Sequence, residues 1–315
     1  MKGSAIIRIC LWTILAAVLT VIMIVGMAFG SLKTGNWNVS LGGYYYDEEG
    51  SYSVGETALE TDAVHSIDID WLSGNIRIVA TEENRITVNE SETASSDDAL
   101  RWRLHDGELQ IKYCKPRRFG KITFAKDLEI SVPSSMLTED IDRTLYGIEV
   151  ENVSSQIHVE GLAVRSLDIE SVSGNIDLLK SEIGTLEIGN VSGTVQIEKS
   201  MIERAELSTV SGNVSLNGTV RSLELKGVSA RLDVYTIQCP AELSCESVSG
   251  YVKLVIPEQS GFRVQMDSVS GKLSATDFGI LSRGNGTYVC GDGSADFEIE
   301  TVSGMVEICK ITAAE

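Results

Sequence analysis

Eight copies of one short phrase constrain this chain more than any other feature. Val172-Ser173-Gly174-Asn175-Ile176, Val191-Ser192-Gly193-Thr194-Val195 and Val210-Ser211-Gly212-Asn213-Val214 are the clearest. With small changes the phrase returns at Val153-Ser154-Ser155, Val228-Ser229-Ala230, Val248-Ser249-Gly250, Val269-Ser270-Gly271 and Val302-Ser303-Gly304. From Ser to Ser the intervals are 19, 19, 19, 18, 20, 21 and 33 residues, so a unit of structure is repeating.

With the Val of each phrase as zero, positions minus five and minus three are apolar: Leu167 and Ile169, Leu186 and Ile188, Leu223 and Leu225, Val264 and Met266, Phe297 and Ile299. Positions plus four and plus six are apolar too, as in Ile157 and Val159, Ile176 and Leu178, Val195 and Ile197, Val214 and Leu216, Val252 and Leu254. Alternation with period two is the mark of a strand with one face buried. Each unit is therefore two short strands joined at a bend, with Ile183, Ile202 or Val220 starting a third side. Nineteen residues leave no room for a helical crossover between parallel strands. The pattern predicts an all-β chain, a parallel β-solenoid that winds once per repeat and lays each strand on its equivalent in the coil before. Right-handed winding is expected, as for parallel connections in general.

Gly at plus two suits a bend because it adopts positive φ without a Cβ clash. The Ser before it can hydrogen-bond to backbone or to its neighbour in the stack. A column of serines could also be read as nucleophiles, but no base recurs beside it and the Gly-x-Ser-x-Gly elbow is absent. A corner role is expected.

Ahead of the repeats, residues 5–30 are apolar apart from Arg8, Thr13 and Thr20, and 9–29 carry no charge. Twenty-one residues span a hydrocarbon core of about 30 Å as a helix. Lys2 and Arg8 place the N-terminus in the cytoplasm by the positive-inside rule. The reading is a tail at 1–5, a transmembrane helix at 6–29, and an extracytoplasmic tether at 30–63 in which Trp37, Tyr44, Tyr45 and Tyr46 could rest at headgroup level. A cleavable signal peptide competes with the anchor, but its apolar region would be unusually long. At 64–135 the pattern opens with Ile67, Ile69, Leu72-Ser73-Gly74-Asn75, Ile76 and Ile78. A hairpin about Asp106-Gly107 follows, expected to cap an exposed sheet edge. The repeats proper fill 136–311. The 33-residue interval is read as a loop leaving the stack. Its Gly291-Asp292-Gly293-Ser294 resembles a calcium-binding glycine turn, but a single copy is expected to be an ordinary turn.

The formal net charge is −19, which opposes nucleic acid or anionic lipid as the main partner. Its placement is uneven. Outward positions at minus four and minus two hold Glu149, Glu151, Asp168, Glu170, Glu187, Glu206 and Glu224, a carboxylate stripe whose members repel at coil spacing unless solvated or matched by cations. The stripe serves either as a solubilising face or as a docking surface for divalent ions or a cationic envelope component. Cys10 lies in the apolar run. Cys245 occupies the minus-three column as a buried hydrophobe, and Cys114, Cys239, Cys290 and Cys309 lack metal or redox spacing. A disulfide among them would be compatible with an oxidising compartment. His65, His105 and His158 are isolated, and no catalytic constellation or cofactor motif emerges.

The Val-Ser-Gly corners, the Leu128 to Pro133 lead-in, and the approach from Gly291-Asp292-Gly293 to Ile299-Glu300-Thr301-Val302-Ser303-Gly304 resemble the bacterial putative-adhesin β-strand-repeat family, a domain of unknown function, over residues 64–311. Ser155 and Ala230 depart from it by replacing the corner Gly. The resemblance implies a β-solenoid at the cell surface, often behind one membrane span, and carries no catalytic residues. The expectation is a non-enzymatic, membrane-anchored interaction or adhesion surface, whose partner is an envelope component or a membrane protein. A polysaccharide-active enzyme on a β-helix, or an accessory of an envelope-stress sensing system, are the alternatives.

Overall fold

The computed structural model describes residues 44–91, 93–117, 122–136 and 145–311. The expected tail, transmembrane helix and first part of the tether lie outside the described residues. Among the described residues no helix is long and apolar enough to cross a membrane. They form two compact units, with the chain dividing between residues 182 and 183.

The first unit holds β1 (Ser53–Val54), β2 (Thr57–Glu60), β3 (Ser66–Thr81), β4 (Arg85–Glu90), β5 (Arg101–His105), β6 (Glu108–Lys112), β7 (Leu128–Pro133), β8 (Gly147–Glu160), β9 (Ala163–Ser173) and β10 (Ile176–Leu179). Strand β3 runs through the Leu72-Ser73 corner and β8 through Val153-Ser154, pairing in parallel from Ser66↔Gly147 to Val79↔Glu160. Beyond β8, β9 continues one side, with Ile148↔Leu167 and Val150↔Ile169. Strand β10 continues the other, with Ile176↔Ile157 and Leu178↔Val159. Every residue of the apolar columns is buried, as period-two alternation requires.

The second unit holds β11 (Glu182–Ser192), β12 (Thr194–Thr209), β13 (Asn213–Gly227), β14 (Arg231–Thr236), β15 (Glu242–Ser247), β16 (Tyr251–Ile256), β17 (Phe262–Ser268), β18 (Lys272–Ser274), β19 (Leu281–Gly284), β20 (Thr287–Cys290), β21 (Ala295–Thr301) and β22 (Met305–Lys310). Strands β12 and β13, which run between corners, pair in parallel along both sides of the coil, including Val195↔Val214 and Leu207↔Leu225, with a register shift between Glu198 and Met201. Strands β14 and β15 then extend the two sides. The all-β reading and the parallel register hold in both units.

Coil order departs from expectation at 257–310. Strands β21 and β22 lie between β15–β16 and β17–β18: Leu243↔Phe297 on one side and Val264↔Phe297 on the other, Val252↔Val306 and Leu273↔Val306 likewise. The chain skips a place, forms the outermost coil, and returns to fill the gap. The 33-residue interval is thus no simple loop: β19 and β20 form a hairpin turning at Gly284-Asn285-Gly286, and β20 runs antiparallel to β17. Phe278 closes the core by an edge-on contact with Phe262, which stacks on Phe297.

The first unit uses the same device. Strand β3 lies between β8 and the outer β6 and β7. Antiparallel strands cover that outer coil: β5 lies on β6, β1 on β5, β4 on β7 and β2 on β4. The hairpin at Asp106-Gly107 forms as read, with positive φ at both residues. Residues 53–60 of the expected tether form β1 and β2, and Tyr44 is buried with its hydroxyl accepting the Tyr113 N–H at 2.8 Å. A latch secures this end. Trp71 donates to the Lys126 carbonyl at 3.0 Å, and the buried Lys126 ammonium sits 2.5 Å from Glu90, over the Trp71 and Tyr113 rings.

The corners are built from two kinds of glycine. Gly174 has φ 134°, and a Cβ there would fall 1.9 Å from the Ser155 carbonyl oxygen of the preceding coil. Gly212 is outside the left-handed region, so the expectation of positive φ fails there. It is held to glycine by space: a Cβ would meet the Gly193 oxygen at 2.7 Å and the Thr209 hydroxyl at 2.6 Å.

Gly174→Ala is expected to cost about 2 kcal/mol or more in denaturant unfolding. Gly50→Ala, with nothing within 4 Å of the added carbon, should stay within about 0.5 kcal/mol of the parent. Lys126→Met strands the Glu90 carboxylate in a buried site and should cost roughly 3 kcal/mol in the same measurement.

Candidate functional site

The outward positions at minus four and minus two become rows once the strands stack. In the first unit, registers of β6, β3, β8 and β9 align Gln110, Asp68, Glu149 and Asp168 in one row. They align Lys112, Asp70, Glu151 and Glu170 in the next. Neighbouring strands lie about 4.8 Å apart, so six carboxylates share one small face with one end lysine.

Lys112 lies 3.2 Å from Asp68 and 3.9 Å from Asp70. The buried Tyr44 hydroxyl donates to Asp70 at 3.4 Å. Burial pushes the Asp70 carboxyl up to about 6, against the pull of Lys112 and with a further push from Asp68. Burial, then Asp70, push Glu151 up to about 7. Glu149 is raised by burial and by Asp68. Lys112 is raised because its carboxylate partners outweigh the cost of its own burial.

In the second unit the minus-two column carries a cation. Lys226 lies 2.6 Å from both Glu206 and Glu224, neighbours across β12 and β13. Burial lowers its pKa, but the two hydrogen bonds raise it further, so one ammonium bridges this carboxylate pair and offsets one of its two charges. Glu187 is exposed. Farther along, the minus-two carboxylates Glu246, Glu300 and Asp267 also join in a row, across β15, β21 and β17. Burial first, then Glu246, raise Glu300.

Asp68 and Asp70 were legible, since they occupy minus four and minus two of Leu72-Ser73-Gly74. Lys112 carried no such sign because β6 precedes no phrase. Lys226 sat in plain view at minus two of Val228.

The serine column is structural. Ser173 donates its hydroxyl to the Val153 carbonyl at 3.2 Å, and Ser211 to Val191 at 3.4 Å. Ser249 donates to Val228, Ser303 to Val248 and Ser270 to Val302. In the second unit the same serines also give their backbone N–H to those carbonyls, as in Ser211 to Val191 at 3.0 Å. Hydroxyls of Thr209 and Thr301 accept the corner Gly212 and Gly304 N–H groups at 2.9 and 2.8 Å.

Asp292 accepts the Ser294 N–H at 3.1 Å, so its carboxylate shapes a turn. Cys114, Cys239, Cys245, Cys290 and Cys309 are free thiols, and burial pushes Cys245 up to about 12.

This stacked-corner architecture can be set beside known proteins. One family profile, described as Toastrack DUF4097, matches residues 64–309. The chain belongs to the Toastrack DUF4097 family. Several solved structures resemble this Toastrack chain at low identity. A protein described as a putative adhesin from Bacteroides fragilis is 14% identical, with TM-score 0.40, covering 81% of this chain and 97% of that one. One described as a putative lipid binding protein from Parabacteroides distasonis is 12% identical, with TM-score 0.45 and coverage of 84% and 98%. One described as a putative adhesin from Parabacteroides merdae is 14% identical, with TM-score 0.44 and coverage of 82% and 97%. No curated protein matches the chain.

The raised carboxyls of this Toastrack face fix a sign for stability. Asp70 binds its proton more tightly folded than unfolded, so its contribution is full below its ordinary value of 3.8 and is lost as pH climbs through about 6. Asp70→Asn should therefore flatten the fall in unfolding free energy over that window by roughly 3 kcal/mol. Thermal or urea unfolding across the pH range reads it directly.

Proposed function

We propose that this protein is a non-enzymatic interaction or adhesion protein of the bacterial cell envelope. The apolar run at 6–29 anchors it with the N-terminus in the cytoplasm, and the Toastrack domain stands outside the membrane. Its docking face is the pair of carboxylate rows on β3, β8 and β9, and the partner is cationic: a basic envelope component or a basic patch on a membrane protein.

One observation carries this reading. Asp68, Asp70, Glu149 and Glu151 are held side by side by the register of β3 and β8, and Lys112 lies within 4 Å of Asp68 and Asp70. Like charges at coil spacing are mutually destabilising, and a partner bringing positive charge relieves that cost. The structural use of the corner serines supports a non-enzymatic role, since their hydroxyl protons go to carbonyls of the stack.

Replacing Glu149, Glu151, Asp168 and Glu170 together by Gln tests it. A lysine homopolymer should bind the parent, more weakly as salt rises, and bind the variant at least about tenfold less tightly, about 1.4 kcal/mol. Equal affinity for parent and variant contradicts the docking face. Release of product from an envelope polysaccharide would overturn the non-enzymatic assignment.

A further inference from the structure

The two carboxylate rows are not equivalent. In the first, Gln110 stands at the end and Lys112 leans toward Asp68 from the neighbouring row. In the second, the order is Lys112, Asp70, Glu151, Glu170. Glu151 therefore has an acid on each side, and Lys112 stands one strand beyond Asp70. Asp70 is fixed in turn. Its side chain is 16% exposed, and the Tyr44 hydroxyl beside it accepts the Tyr113 N–H, which leaves its single proton to Asp70.

We propose that Asp70 and Glu151 share one proton and thereby act as a pH-operated switch on the charge of this face, loaded in mildly acidic solution and discharged in alkaline. The register of β3 and β8 makes Asp70 and Glu151 direct neighbours in a parallel ladder, so the two side chains leave the backbone side by side on one face. Ionising both requires a second negative charge beside the first in a half-buried setting. The pair then releases its protons in two macroscopic steps, the second well above the ordinary carboxylate range.

The groups facing the pair are few. From β6 come Lys112, Gln110 and Glu108; from β3 and β8, Asp68 and Glu149; from β9, Asp168 and Glu170. Tyr44 packs on Asp70, and Tyr52 bonds to Gln110, which also receives Arg103. Lys112 alone of these cations touches the two rows, at the end away from Glu151. Burial raises both members, with Asp70 to about 6 and Glu151 to about 7, in the direction the geometry requires.

The consequence for partners rests on the docking reading: a cationic partner would be held in neutral or alkaline solution and loosened by acid. The switch itself stands apart from that reading, and the experiment separates them. Full-length protein in nonionic detergent is titrated potentiometrically beside Asp70→Asn, Glu151→Gln, the double variant and Glu170→Gln, and lysine-homopolymer binding is followed over the same range.

The parent should take up at least about one more proton than the double variant between about pH 8 and about pH 5. Each single variant should leave the remaining carboxyl titrating about one pH unit lower than in the parent, so that the single effects do not add. Equal uptake by parent and double variant overturns the switch, as do single effects that sum to the double. Glu151→Gln is near-isosteric and keeps the test alive if the double variant does not fold. Absent polymer binding with proton uptake intact sinks the docking face and leaves the switch standing. Binding that persists without the uptake does the reverse.

Discussion

The in-register parallel ladder through each Val-Ser corner is what the rest depends on. At a corner the backbone must turn without breaking the pairing on either side. In the second unit it does so because one serine supplies both its N–H and its hydroxyl to the valine carbonyl in the adjacent coil. Glycine follows because the coil beneath presents a carbonyl where a Cβ would stand. The corner satisfies polar groups that would otherwise be buried unpaired, so it can recur without weakening the stack.

That register also creates the electrostatic character of the molecule. An acid on one coil is harmless in water, but the same acid repeated at strand spacing becomes a row with interacting titrations. Where a lysine reaches across from the neighbouring row, as Lys226 does to Glu206 and Glu224, one ammonium offsets part of the pair's charge. Where lysine stops at the end, as Lys112 does, carboxylates accumulate beyond its reach and two of them are driven toward neutrality. Burial of Asp70 by Tyr44 and the covering strands gives that first-unit face its distinct behaviour.

Much of this was legible in the sequence, and the reason is periodicity. Side chains alternate strictly across a strand, so Leu167, Ile176, Val195 and their equivalents announced their burial. The serine column announced a corner because no base accompanied it. Coil order was not legible, since a column position says which face a residue occupies and not which coil lies beside it. Phe297 and Ile299 fit equally well against Leu243 or against Val264, and in the fold they meet both. The covering strands before Ser66 were missed for a related reason. Strands as short as β1 and β2 bury few side chains, so alternation is too weak to see. Asp68 and Asp70 were within reach, while Lys112 needed the out-of-order placement of β6 before it could be set beside them.

Nitroxide labels test the register most directly. With the native cysteines replaced by alanine, cysteines introduced in pairs at Asp68 and Glu149, or at Glu149 and Asp168, are labelled in the full-length protein and their dipolar broadening is recorded. The account predicts strong broadening for both pairs, as for labels on adjacent strands about 4.8 Å apart, and weaker broadening for Asp68 with Asp168, two strands apart. Spectra of either adjacent pair that match the sum of the single-label spectra would contradict it.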